Sequence, residues 1–219
     1  GVDSSQINSI GIDEYLSYWN NPGDFIYVED DYESALLAST YASLFNAPLI
    51  IEGTVFDSDN ILNDKIVVCI GDVDRECTVN YDLNQITEKY LERTNTNKVI
   101  LVNPNDLTQS VNSPVLIEKT VRGITSAYGK TSLLAPFLAS AKQQLLLSYP
   151  LGNYEDDMNQ IISKFNEMRT FLQSKLSSLN LEPEYLTIMA SHIAIPESYY
   201  DGVHRRFLLV WKYVTDDAI

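Results

Sequence analysis

Histidine and cysteine are scarce in this chain, with two of each in 219 residues. No C-x-x-C or H-x-x-x-H spacing exists, which excludes a four-ligand zinc site and a disulfide framework. No serine lies in a G-x-S-x-G elbow. A lone His192 or His204 near a strand end reads as a structural or surface group rather than a base. Basic residues are also in short supply, 15 against 30 acidic, for a formal charge of −15. Such a surface repels phosphate backbones and anionic lipids, so nucleic acid and bare membrane are poor partners. No apolar run approaches the roughly 20 residues of a membrane span, so no transmembrane segment is expected. The opening GVDSSQINS has neither a basic n-region nor an apolar h-region; Gly1 reads as a cleavage scar and any targeting signal as already removed.

What remains is an ordinary globular composition, 45% hydrophobic and 21% charged, with 14 tyrosines. A chain of this length can bury a sizeable core. Ile12, Tyr15, Leu16 and Trp19 share one face of an opening helix. Phe25 to Val28 reads as a short buried strand. Asp30 with Glu33 makes a D-x-x-E capping box for a helix through Leu36, Leu37, Tyr41, Leu44 and Phe45. Further strands are expected at 48–51, 65–70, 98–102, 144–147, 185–189 and 207–211. Helices are expected around Leu83 to Leu91, at 131–142, and along a stripe from Met158 to Leu179 about 25 residues long. Alternation of apolar strands with helices predicts an α/β fold, a mostly parallel sheet flanked by helices in a Rossmann-like arrangement.

The order of features repeats. FIYVEDDYESALLASTYASLFNAPLIIEG and VILVNPNDL…SLLAPFLASAKQQLLLS both run strand, acidic turn, Leu/Ala-rich helix, strand. KIVVCIGDV follows the first copy and EYLTIMASHIAIP the second. The reading is an internally duplicated strand-helix-strand module, with halves at 1–94 and 95–219 packed as one unit. Leu36, Leu37, Tyr41 and Leu44 would correspond to Leu133, Leu134, Phe137 and Leu138. Pro136 is out of place in this scheme, since it should end or kink its helix unless that helix starts later.

Candidate chemistry is sparse. YGKTSLL at 128–134 is half of a phosphate-binding loop, but the preceding glycine, Gly123, is one residue too far away, leaving only a helix N-terminus at Thr131 for weak anion binding. Cys69 lies within IVVCI, whose flanks predict burial, and Cys77 lies in the turn DRECTVN. The pair is either a buried strand thiol with a surface thiol, or a disulfide, which requires an oxidising compartment. In doubly wound sheets ligands bind beyond the carboxyl ends of the strands. There lie Glu29, Asp30 and Asp31, then Gly71 and Asp72, then Asn103, Asn105 and Asp106, then His192. Such residues either cap helices and shape turns, or form a polar site. No cofactor is expected, and calcium is the cation their oxygens would suit.

At these residues the chain resembles known families. DYESALLASTYASLFNAPLIIEG followed by KIVVCIGDV resembles the cell-wall-binding repeat of prokaryotic surface proteins, whose glycine pair is here Gly71 alone. KVILVNPND, SLLAPFLASAKQQLLLS and YLTIMASHIAIPESYY resemble the amino-terminal part of gingipain-like cysteine peptidase domains. Neither His192 nor His204 is followed by glycine, so no catalytic residue is carried over. The resemblance implies a non-catalytic binding or scaffold module of a secreted or cell-surface prokaryotic protein, with a cell-envelope component or neighbouring domains of the same protein as partners. The alternatives are the amino-terminal part of a peptidase whose catalytic His and Cys lie beyond this chain, and a small-molecule-binding α/β receptor domain.

Overall fold

The computed structural model describes residues 11–19, 22–54, 59–107, 111–112, 131–152, 154–155, 158–190, 195, 198–199 and 206–207. The chain divides into two compact units, 1–86 and 87–219. Each carries a parallel sheet with helices, as the alternating pattern predicts.

In the first unit, helix α1 (Ile12–Leu16) is followed by β1 (Asp24–Val28), α2 (Tyr32–Phe45), β2 (Leu49–Ile51), α3 (Asp59–Leu62), β3 (Ile66–Ile70) and β4 (Val79–Tyr81). The strand order is β2-β1-β3-β4, all parallel. Phe25, Ile26, Tyr27 and Val28 of the central strand are all buried, because a parallel strand covered on both faces needs a continuous apolar run. Burying each such side chain contributes about 1.5–3 kcal/mol.

The helix N-cap lies one residue beyond the place expected for the D-x-x-E box. Asp31, not Asp30, is the N-cap, and its Oδ2 accepts from the Ser34 N–H at 2.8 Å. Asp31 is extended (φ −128°, ψ 134°), the conformation an N-cap needs. The helix lays Leu36, Leu37, Ala38, Tyr41 and Ala42 inward and ends at Asn46, which is left-handed at φ 51°. Tyr15 of α1 shields the outer edge of β2, since its hydroxyl donates to the Leu49 carbonyl at 2.9 Å and accepts from the Leu49 N–H at 3.0 Å. That consumes hydrogen-bonding groups an edge strand would otherwise expose.

The second unit contains most of α4 (Leu83–Thr94, which starts in the first), then β5 (Lys98–Val102), a 3-10 turn (Pro104–Leu107) and β6 (Val111–Asn112). A second 3-10 turn (Thr131–Leu134), α5 (Ala135–Lys142), β7 (Leu145–Ser148), β8 (Tyr154–Glu155), α6 (Met158–Ser178), β9 (Tyr185–Met189), β10 (Ser198–Tyr199) and β11 (Arg206–Phe207) follow. The main sheet is β7-β5-β9, again parallel with its first strand central. β6 pairs with β8 and β10 with β11 in two small ribbons. The strand expected at 207–211 lies outside the described residues beyond Phe207. Helix α6 is 21 residues long and buries Phe165, Met168, Leu172 and Leu176 along one face.

Pro136 breaks nothing, because α5 starts at Ala135 and the proline falls in its first turn, where a missing N–H has no helical partner to lose. The expected apolar face of this helix is overturned, however. Leu133, Leu134 and Phe137 are exposed at 43%, 59% and 76%, and the buried residues are Ala135 and Ala139. The two leucines lie in the 3-10 turn, which points them away from the direction a continuous helix would give.

Register matches across the two sheets. Ile26 pairs with Leu49 and Val68, and Ile100 with Leu146 and Thr187. Val28 pairs with Ile51 and Ile70, and Val102 with Ser148 and Met189. The helix exits agree too: Ala47 N–H donates to the Ala42 carbonyl at 3.0 Å, and Gln144 N–H to the Ala139 carbonyl at 2.9 Å. Asn46 and Gln143, the residues just before these donors, are both left-handed.

Candidate functional site

The carboxyl ends of the strands are where the polar residues expected to face a ligand were placed. In the first unit, the chain leaving β1 is organised by Glu29. Its Oε1 accepts from the Ser34 hydroxyl at 2.7 Å and its Oε2 from the Asp72 N–H at 3.1 Å, so both oxygens are engaged by the protein. The carboxylate lies against Gly71, at φ 86°, where a Cβ would collide with it. Asp30 is exposed in the bend, Asp31 caps α2, and the Asp72 side chain is exposed.

After β3 the backbone does not enter a helix. Residues 71–78 return along the sheet as a bent, non-helical strap and lead into β4, with burial in strict alternation: Val73, Arg75 and Cys77 half-buried, Asp72, Asp74, Glu76 and Thr78 exposed. Val73 and Cys77 pack on the cluster of Phe25, Tyr27, Ile50, Leu62, Val67 and Cys69. The Arg75 guanidinium lies 4.7 Å from the centre of the Tyr27 ring. Glu52 Oε1 accepts from the Asp74 N–H at 2.8 Å. Thr78 N–H donates to the Val67 carbonyl at 2.9 Å, and Val67 N–H to Thr78 Oγ1 at 3.1 Å. Cys77 is disulfide-bonded to Cys69, with Cα atoms 5.9 Å apart. Of the two readings of the cysteines, the disulfide is the one the structure adopts.

In the second unit, Asn103 follows β5 and is fully buried. Its Oδ1 accepts from the Asn105 N–H at 2.9 Å and the Leu151 N–H at 3.1 Å, and its Nδ2 donates to the Leu151 carbonyl at 3.1 Å. Asn105 Nδ2 reaches the same carbonyl at 3.4 Å. Asp106 is buried, with Oδ2 accepting from the Ser132 N–H at 2.8 Å and Oδ1 from the Ser132 hydroxyl at 2.6 Å. The turn at Thr131, read as a weak anion site, therefore already holds a carboxylate of its own chain, which repels a second anion.

Asp31, Asn103, Asn105 and Asp106 thus hold backbone segments in place, and Asp30 and Asp72 present exposed side chains. Asp30, Asp31 and Asp72 come together in the first unit, Asn103, Asn105 and Asp106 in the second. His192 lies outside the described residues. Among the described residues no group of three or more His, Cys, Asp and Glu side chains is placed to hold a metal ion. No helix among them is long and apolar enough to cross a membrane.

Sequence reasoning missed the strap, Ser34, Glu52 and Ser132. The strap had a signal: Val73, Arg75, Cys77, Val79 and Tyr81 alternate with Asp72, Asp74, Glu76, Thr78 and Asn80, the period of an extended chain on an apolar surface. Compared with known proteins, the chain matches no family model, no curated protein and no solved structure.

Proposed function

We propose that this chain is a non-catalytic binding or scaffold module of a secreted or cell-surface prokaryotic protein. The observation that carries the reading is the Cys69–Cys77 disulfide. It occupies both thiols in the sequence, so neither is available as a nucleophile, and disulfides persist in oxidising compartments outside the cytoplasm. The carboxylates of Glu29 and Asp106 support it as well. Each is engaged by backbone N–H and hydroxyl donors of the chain itself, an arrangement that stiffens a framework rather than serving as a general base. The prokaryotic surface assignment rests on the resemblance of DYESALLASTYASLFNAPLIIEG to cell-wall-binding repeats. Partners are then a cell-envelope component or other domains of the same protein, and no cofactor is needed.

Cosedimentation of the purified chain with isolated bacterial cell walls tests the reading. Saturable pelleting that survives physiological salt supports it. A chain that stays in the supernatant at every protein concentration contradicts an envelope partner.

The two units are further proposed to descend from one strand-helix-strand module. Supporting this are the shared order β2-β1-β3 and β7-β5-β9 and the matching register around Ile26 and Ile100. On this reading the second copy diverged at Leu133, Leu134 and Phe137, which are exposed. An experimental structure with Val99–Val102 antiparallel to its neighbours would refute the duplication.

A further inference from the structure

Parallel neighbours are ordinarily joined by a crossover of about a dozen residues or more, usually a helix that satisfies its own backbone. The strap between β3 and β4 is shorter and has no helix, so its N–H groups borrow acceptors: Glu29 for Asp72, Glu52 for Asp74 and the Val67 carbonyl for Thr78. Strand β4 is weakly held by itself, with three residues paired to β3 and none fully buried. The single covalent tie is Cys69–Cys77, which joins the fully buried middle of β3 to the last turn of the strap.

We propose that this disulfide is a latch. Closed, it holds the strap and β4 on the sheet. Opened, it lets residues 71–81 detach as one segment while β1, β2 and β3 stay folded, uncovering the face of Tyr27 and the β3 edge at Val68–Ile70. The reductant is a dithiol. Its thiolate attacks Cys77 Sγ, the more exposed sulfur, breaking the S–S bond and expelling Cys69 Sγ, which takes a proton. The second thiol of the reductant then displaces Cys77, leaving two protein thiols and one oxidised dithiol, a transfer of two electrons and two protons.

Hydrogen-exchange mass spectrometry on the full chain tests the latch, before and after reduction by dithiothreitol confirmed by intact mass, and on Cys77→Ser without reductant. Amides of 71–81 are expected to exchange roughly tenfold to a hundredfold faster in both opened forms, while those of 24–28 and 98–102 keep their protection. Unchanged exchange of 71–81 in both opened forms would overturn the proposal. So would simultaneous loss of protection in 24–28, which would make the disulfide a staple of the whole unit.

Discussion

Asn103 pairs with Leu151 as though its side chain were a strand neighbour, accepting the Leu151 N–H at 3.1 Å and donating to the Leu151 carbonyl at 3.1 Å. The pairing satisfies a buried peptide where the chain leaves β7. Asn103→Ala should therefore cost about 1–3 kcal/mol, because three side-chain bonds are lost, to the Asn105 N–H, the Leu151 N–H and the Leu151 carbonyl, while Leu151 keeps weaker partners in the Tyr149 carbonyl and Asn105 Nδ2. Urea unfolding monitored by fluorescence measures it, and a loss below about 0.5 kcal/mol would mean that water replaces the amide at no cost.

Gly71 combines φ 86° with a backbone that presses on the Glu29 carboxylate. Gly71→Ala should destabilise the first unit by about 1–3 kcal/mol, since the side chain is both strained and sterically opposed. The double variant Glu29→Ala with Gly71→Ala should recover the steric part only. If the two changes are additive in a double-mutant cycle, Glu29 and Gly71 do not interact as described.

Burial pushes the Tyr41 phenol up to about 12, with Tyr81 adding to the shift. An unfolded tyrosine titrates near 10. The folded state thus favours the neutral phenol: the contribution is complete below about pH 10 and is lost as pH rises through about 12. Tyr41→Phe should flatten this part of the alkaline unfolding profile. An identical slope in the variant would assign the loss to other groups.

Both thiols being bridged, the purified chain should cleave no peptide after Arg or Lys. Fluorogenic peptides of both kinds, assayed in oxidised and reduced protein, provide the check, and thiol-sensitive turnover would refute the non-catalytic reading.

The architecture was legible because burial on both faces of a parallel strand writes a continuous apolar run, as in Phe25–Val28 and Val99–Val102. Boundaries were less so. Asp30 and Asp31 offer competing caps; Asp31 takes the Ser34 N–H while Glu29 takes the Ser34 hydroxyl, a contact no spacing rule contains. The small-residue face of α5 was hidden behind Leu133 and Leu134, whose apolarity mimics a core-facing pair. The roles of the strand-end residues depend on partners distant in sequence, Leu151 for Asn103 and Ser132 for Asp106. The disulfide was open to two readings because two cysteines with a short loop between them fit either, and only the return of the strap along β3 brings them together.

The most direct test of a secreted or surface-exposed scaffold is the redox state of Cys69 and Cys77 in protein taken from its source cells. Cells quenched with a thiol-alkylating reagent are fractionated, and the chain is read by intact mass and peptide mapping without reduction. The account predicts a linked Cys69–Cys77 peptide, no alkylation at either position, and recovery outside the cytoplasmic fraction. Two alkylated cysteines on protein recovered from the cytoplasm would contradict it.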